Sequence, residues 1–181
     1  MPRMNAIEPE NANQEMQELY QQVENNLGML PNMVKTLANA PVVAKAYISF
    51  WNLMEQGVLP ISLKEKISLL VSEANGCSYC ISVHCALSKG AGLADEEVLD
   101  SRQGQSPDRK TDQALKFASR ILDTRGAVTT DEMDALRNVG YTDQEITEMV
   151  ALIVFVQFSN YFNNAVGTVN DFPKADALVA N

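Results

Sequence analysis

Residues 142–166 read TDQEITEMVALIVFVQFSNYFNNAV. Thr142 and Glu145 form the T-x-x-E pattern of a capping box, in which a hydroxyl and a carboxylate satisfy backbone N–H groups at a helix start. The pattern predicts a helix over about 143–166. Through Val150-Ala-Leu-Ile-Val-Phe-Val156 that helix has no polar face, so it belongs in the middle of a bundle or in a subunit interface. Asn160, Asn163 and Asn164 near its end could line a pocket through hydrogen bonds. They read more readily as residues that cap and solvate a fraying end.

Working outward, the rest of the chain supplies further helices. Met16, Leu19, Tyr20, Val23 and Leu27 recur at helical spacing, with Gly28 as the stop. A short segment over 33–37 lies between Pro31 and Pro41. Val43, Ala46, Tyr47, Phe50 and Met54 then form a second apolar stripe, which stops near Gly57. Ser62 is the expected N-cap of the next helix, with Leu63, Ile67, Leu70, Val71 and Ala74 as its stripe and Asn75-Gly76 as its end. A helix from Cys77 to about Lys89 follows, then a turn or two over 93–99. Ala114, Leu115, Ala118, Ile121 and Leu122 mark another helix, ending at Arg125-Gly126. A short one capped by Thr129 or Thr130 carries Met133, Leu136 and Val139. No alternating strand pattern and no repeat occurs, so the fold class is all-α.

The 181 residues suit a single domain. With 46% hydrophobic and 20% charged residues the composition is that of a globular protein. Fourteen Lys and Arg against 23 Asp and Glu leave a net charge of −9, which repels phosphate backbones and anionic membranes. The longest purely apolar run, Met149–Val156, is far short of the roughly 20 residues of a membrane span. Residues 1–15, MPRMNAIEPENANQE, lack the apolar run of a secretory signal. A cytoplasmic protein is the expectation, without nucleic-acid or membrane partners.

All three cysteines and the only histidine fall between positions 77 and 85. Such a cluster is no secreted disulfide framework and points to redox or metal chemistry. At 100° per residue, Cys77, Cys80 and His84 share a helix sector about 60° wide, and Cys85 points away. Thiols near a helix N-terminus feel unpaired N–H groups and the positive end of the macrodipole, which favours thiolate. An imidazole one turn on can take the proton. A thiolate with a second thiol nearby can attack a peroxide and collapse the sulfenic acid to a disulfide. The dipole favours Cys77 as the attacking sulfur and the i, i+4 imidazole favours Cys80. The base carries more weight, because it also moves a proton during attack. Glu65 is the next candidate, on a face with Ser68, Leu69 and Ser72. Ser62-x-x-Glu65 is also a capping box, so a plain cap competes with a chemical role.

Together, Glu65, Cys77, Cys80 and His84 (E-x11-C-x2-C-x3-H, with NGCSYCISVH around the thiols) resemble the active-site signature of the AhpD-like, or alkylhydroperoxidase D-like, branch of the carboxymuconolactone decarboxylase family. The likeness runs from about Val43 to His84, on through Gly92-Leu-Ala-Asp-Glu-Glu, and more loosely to the NYFNN tail of the last helix. It implies one AhpD-like helical domain over 1–181 with residues 1–40 as an N-terminal arm, assembled as a trimer or hexamer. It also implies that Cys80 is peroxidatic, that Cys77 resolves, and that Glu65 and His84 relay the proton. Tyr79 stands where some alkylhydroperoxidases have a second histidine, Cys85 is additional, and the N-terminal arm is closer to the peroxidase-related members.

The function expected is therefore a thiol-dependent peroxidase, with a hydroperoxide substrate and an external dithiol as reductant, lipoyl or thioredoxin-like by the resemblance. Gly90-x-Gly92 follows a helix, so it is no nicotinamide or flavin fingerprint, and no cofactor is expected. A decarboxylase like the family's namesake is one alternative, disfavoured by the C-x2-C pair. A zinc-stabilised helical module is another. C-x2-C is a zinc half-site, but beyond Glu65 nothing completes it. Cys85 reads as a buried structural thiol and Trp51 as packing.

Overall fold

The computed structural model describes residues 2–178. Among them the regular elements are all helical, as the sequence predicts. After a 3-10 turn at Pro9–Asn11 come α1 (Gln14–Leu27), α2 (Asn32–Leu37), α3 (Pro41–Met54), α4 (Ile61–Ala74), α5 (Ser78–Gly90), α6 (Asp95–Arg102), α7 (Arg109–Thr124), α8 (Thr130–Asn138) and α9 (Asp143–Val166). They group into two compact units. One takes the chain up to Gln56 together with Phe162–Asp171, and the other takes Gly57–Tyr161 together with the segment from Phe172.

In the first unit Asn13 caps α1 by accepting the Met16 N–H at 2.9 Å, and Gly28 closes the helix in the left-handed region. The expected stripe of α1 is inside, with Met16, Leu19, Tyr20 and Val23 buried. α3 turns differently. Ala44 and Ile48 are its buried residues, whereas Ala46 is exposed and Phe50 is 38% exposed. Val42 and Leu53 lie further out, at 71% and 65%. Outside the polar line of Lys45, Ser49 and Asn52, α3 is apolar, so periodicity could not say which of its other faces packs.

The second unit is built around α4, which packs against α5, α6 and α7. Leu63, Ile67, Leu70 and Val71 are buried as expected, and so are Ser68, Leu69 and Ser72 on the opposite side. Each fully buried Ile or Val here contributes about 1.5–3 kcal/mol. The predicted start of α4 is corrected: Pro60, not Ser62, is its N-cap. α6 is a full two turns, and Glu97 in its first turn accepts from the N–H of the N-cap Ala94 at 3.1 Å and from Lys66 Nζ at 2.8 Å. The capping boxes Thr129/Glu132 on α8 and Thr142/Glu145 on α9 both form.

α9 is not buried all round. Ile146, Met149, Leu152, Ile153 and Val156 are inside, while Val154, Phe158 and Tyr161 are exposed. By length and hydropathy it could cross a bilayer, yet half of its most apolar window is buried within the protein. Its asparagines do not simply fray. Asn160 is wholly buried, and Asn163 is buried and accepts the Thr168 hydroxyl at 2.7 Å, which leaves only Asn164 in solvent.

Beyond α9 the chain returns across α5. Phe172 meets the Tyr79 ring edge-on at 6.1 Å, Ala175 N–H donates to Ser82 Oγ at 3.2 Å, and Arg102 Nη2 donates to the Asp176 carbonyl at 2.9 Å.

Candidate active site

Cys77 sits between two helices and belongs to both. α4 ends at Ala74, Asn75 is its C-cap, and Gly76 takes φ +59°, the left-handed step that glycine makes without penalty. Gly76 N–H then bonds to the Glu73 carbonyl at 2.9 Å and Cys77 N–H to the Ser72 carbonyl at 3.0 Å, the double bond pattern of a Schellman motif. Cys77 is at the same time the N-cap of α5, its Sγ accepting the Cys80 N–H at 3.2 Å. α5 therefore starts at Ser78, one residue later than its sequence suggests.

Cys77 and Cys80 are joined as a disulfide, with their Cα atoms 5.3 Å apart. Both are shut away from solvent, at 0% and 3% exposure. One turn along α5, His84 Nδ1 lies 2.9 Å from Glu65 Oε2 on α4. The two side chains keep 18% and 12% of their surface, so this pair is the more accessible flank of the constellation. A carboxylate only accepts, so Nδ1 carries the hydrogen in this contact and the lone pair of Nε2 is the ring's basic site.

The geometry removes one of the two roles weighed for Glu65, the cap. With Pro60 as N-cap, Glu65 is too far into α4 to close a capping box, and its carboxylate meets the imidazole instead. The four predicted residues thus form two bonded pairs on adjacent helices. Cys85 stands apart as a free, half-buried thiol against Leu69, Leu93 and Val98. Burial pushes its pKa up, which makes it a poor nucleophile. Among the described residues no group of three or more His, Cys, Asp or Glu is placed to hold a metal ion.

Near the site, sequence reasoning missed Arg102 and, of its two readings of Asn160, preferred the fraying end. Arg102 is buried and holds Glu73 at 2.8 Å as well as the returning C-terminal segment. Asn160 reaches the turn before Cys77. Neither carries a local signal, since both depend on elements remote in sequence.

The helical fold is the one seen in AhpD-like proteins. Residues 41–124 match the carboxymuconolactone decarboxylase family, the segment that includes Glu65, both thiols and His84. This bears out the resemblance that the thiol motif carries. Among solved structures, an uncharacterized peroxidase-related protein with an alkylhydroperoxidase AhpD core from Ralstonia eutropha JMP134 is 24% identical, with a TM-score of 0.83 over 94% of this chain and 92% of that one. A peroxidase-related protein from Silicibacter sp. TM1040 is 20% identical, with a TM-score of 0.80 over 93% and 91%. The debrominase Bmp8 is 23% identical, with the same score and coverage. At these identities the likenesses establish the fold. Among curated proteins none matches the sequence.

Proposed function

We propose that the chain is a cysteine-based peroxidase of the cytoplasm, which reduces hydroperoxides through the Cys77–Cys80 pair at the expense of an external dithiol. The observation that carries the reading is the Glu65–His84 contact one turn from a Cys77–Cys80 disulfide. In the reduced protein, His84 Nε2 takes the Cys80 proton, and Glu65 steadies the imidazolium. The Cys80 thiolate attacks one peroxide oxygen, the O–O bond breaks, and the departing alkoxide takes a proton from His84, leaving ROH and a sulfenic acid. Cys77, as thiolate, then attacks the Cys80 sulfur, and hydroxide leaves as water with the proton that Cys77 gave up. A dithiol such as a lipoyl group restores both thiols by exchange. The sum is ROOH + R′(SH)2 → ROH + H2O + R′S2.

The burial of both sulfurs supports a small or slender substrate, and the exposed edge of the Glu65–His84 pair offers an approach. The two electrons of the dithiol would equally serve a reductive removal of bromide, and the structural neighbour Bmp8 is named a debrominase, solved also with a tribromopyrrole.

The test is steady-state consumption of hydrogen peroxide and an organic hydroperoxide with dihydrolipoamide, reduced thioredoxin and glutathione as donors, beside a brominated pyrrole as competing substrate. The proposal expects dithiol-dependent loss of peroxide. Loss of bromide without loss of peroxide, or peroxide turnover that persists when both Cys77 and Cys80 are serine, would overturn it.

A further inference from the structure

We propose that Asn160 is a positioning residue for the resolving thiol: it grips the turn that presents the Cys77 sulfur at the N-cap of α5. The observation is a buried amide that makes two directed hydrogen bonds. Asn160 has no exposed surface. Its Nδ2 donates to Ser72 Oγ at 3.2 Å, and its Oδ1 accepts from Asn75 Nδ2 at 2.9 Å.

Those two partners are not arbitrary points on α4. Ser72 is the residue whose carbonyl receives the Cys77 N–H, and Asn75 is the helix C-cap, immediately before the left-handed Gly76. Asn160 therefore holds the side chains of the first residue of the Schellman motif and of its C-cap, and the residue which that motif fixes is Cys77. The side chain of Cys77 in turn accepts the Cys80 N–H. A buried amide satisfied in one sense only is sensitive to displacement, because either broken bond leaves a desolvated polar group. The backbone of the turn is thereby kept in register with the first N–H groups of α5.

The chemical consequence concerns reduced Cys77. A sulfur at a helix N-cap, facing an N–H and the positive end of the macrodipole, is stabilised as thiolate. Thiolate is the form that attacks the Cys80 sulfur and closes the disulfide. Asn160 touches neither substrate nor sulfur, so it acts through the turn.

The inference rests on the dithiol reading above, and its test uses no peroxide, so the two fail separately. Cys77 is alkylated with iodoacetamide in a Cys80→Ser background and followed peptide by peptide, with Cys85 as internal reference. Asn160→Leu removes both bonds. Asn75→Ala removes one at a half-buried position and keeps the test available where Asn160→Leu does not fold. We expect alkylation of Cys77 near pH 7 to slow about tenfold in each folded variant, with the difference vanishing near pH 10, where the thiol is ionised in any setting. The disulfide of the otherwise native chain should also form less readily against dithiothreitol. A purely structural role would lower the melting temperature and leave the pH dependence of Cys77 alkylation unmoved, and that result overturns the proposal.

Discussion

Glu65 accepts from His84 at 2.9 Å, and a carboxylate so placed fixes which ring nitrogen is basic and stabilises the cation when the ring takes a proton. The relay role makes a prediction that a cap does not. Glu65→Gln should slow peroxide reduction by about 10²-fold while the melting temperature stays close to that of the native chain, because Pro60 rather than Ser62 begins α4. His84→Asn should show the same kinetic loss. Kinetics and thermal melts on the same preparations check this: an early melt with normal turnover would return Glu65 to a structural part. At this scale the pairing was legible: E-x11-C-x2-C-x3-H named four residues that form one pair at the start of α5 and one between α4 and α5. The ambiguity at Glu65 was not resolvable locally, because a capping box and a relay carboxylate use the same residue type at the same spacing.

At the scale of elements, most caps were legible, Ser62 on α4 being the exception, and the packed face of α3 was not. Thr129, Thr142, Gly28 and Asn75-Gly76 each act where their chemistry says, since a cap is a contact between near neighbours in sequence. The packed face of α3 and the C-terminal segment across α5 are set by distant partners. Arg102 shows what such a partner is worth. It is buried against Glu73 and the Asp176 carbonyl, so Arg102→Ala leaves a carboxylate and a carbonyl short of their donor. Urea unfolding should show a loss of about 3 kcal/mol, and a loss below about 1 kcal/mol would contradict the anchoring role. The caps also set a pH dependence. Glu145 accepts the Thr142 N–H and faces Lys110, which holds its carboxyl below the usual range. Near pH 4 it therefore binds fewer protons folded than unfolded, so its stabilisation is complete above the ordinary carboxyl pKa of about 4.3 and is lost as pH falls through the lower folded value. Glu145→Gln should melt below the native chain at neutral pH, with the gap closing below about pH 4. A gap independent of pH would show that the charge is not involved.

For the whole molecule, the exposed apolar side chains ask for a partner. Val42, Phe50 and Leu53 project from α3, and Val154, Phe158 and Tyr161 from α9, more than an isolated chain comfortably leaves in water. We propose a homo-oligomer, a trimer or a hexamer, and light scattering should give a mass several times that of one chain. Arg at Leu53 and at Val154 should each reduce it, whereas a monomer at working concentration would remove the idea. The central claim is that Cys77 and Cys80 are a peroxide-reducing pair, and a single turnover tests it most directly. Reduced protein given one equivalent of hydroperoxide should consume it, lose two thiols, and yield one Cys77–Cys80 linked peptide by mass spectrometry with Cys85 still free. Cys77→Ser should stop at a sulfenic acid on Cys80, and Cys80→Ser should leave the peroxide untouched. Unconsumed peroxide with the native chain, or oxidation that falls on Cys85 while the pair stays reduced, would contradict the account.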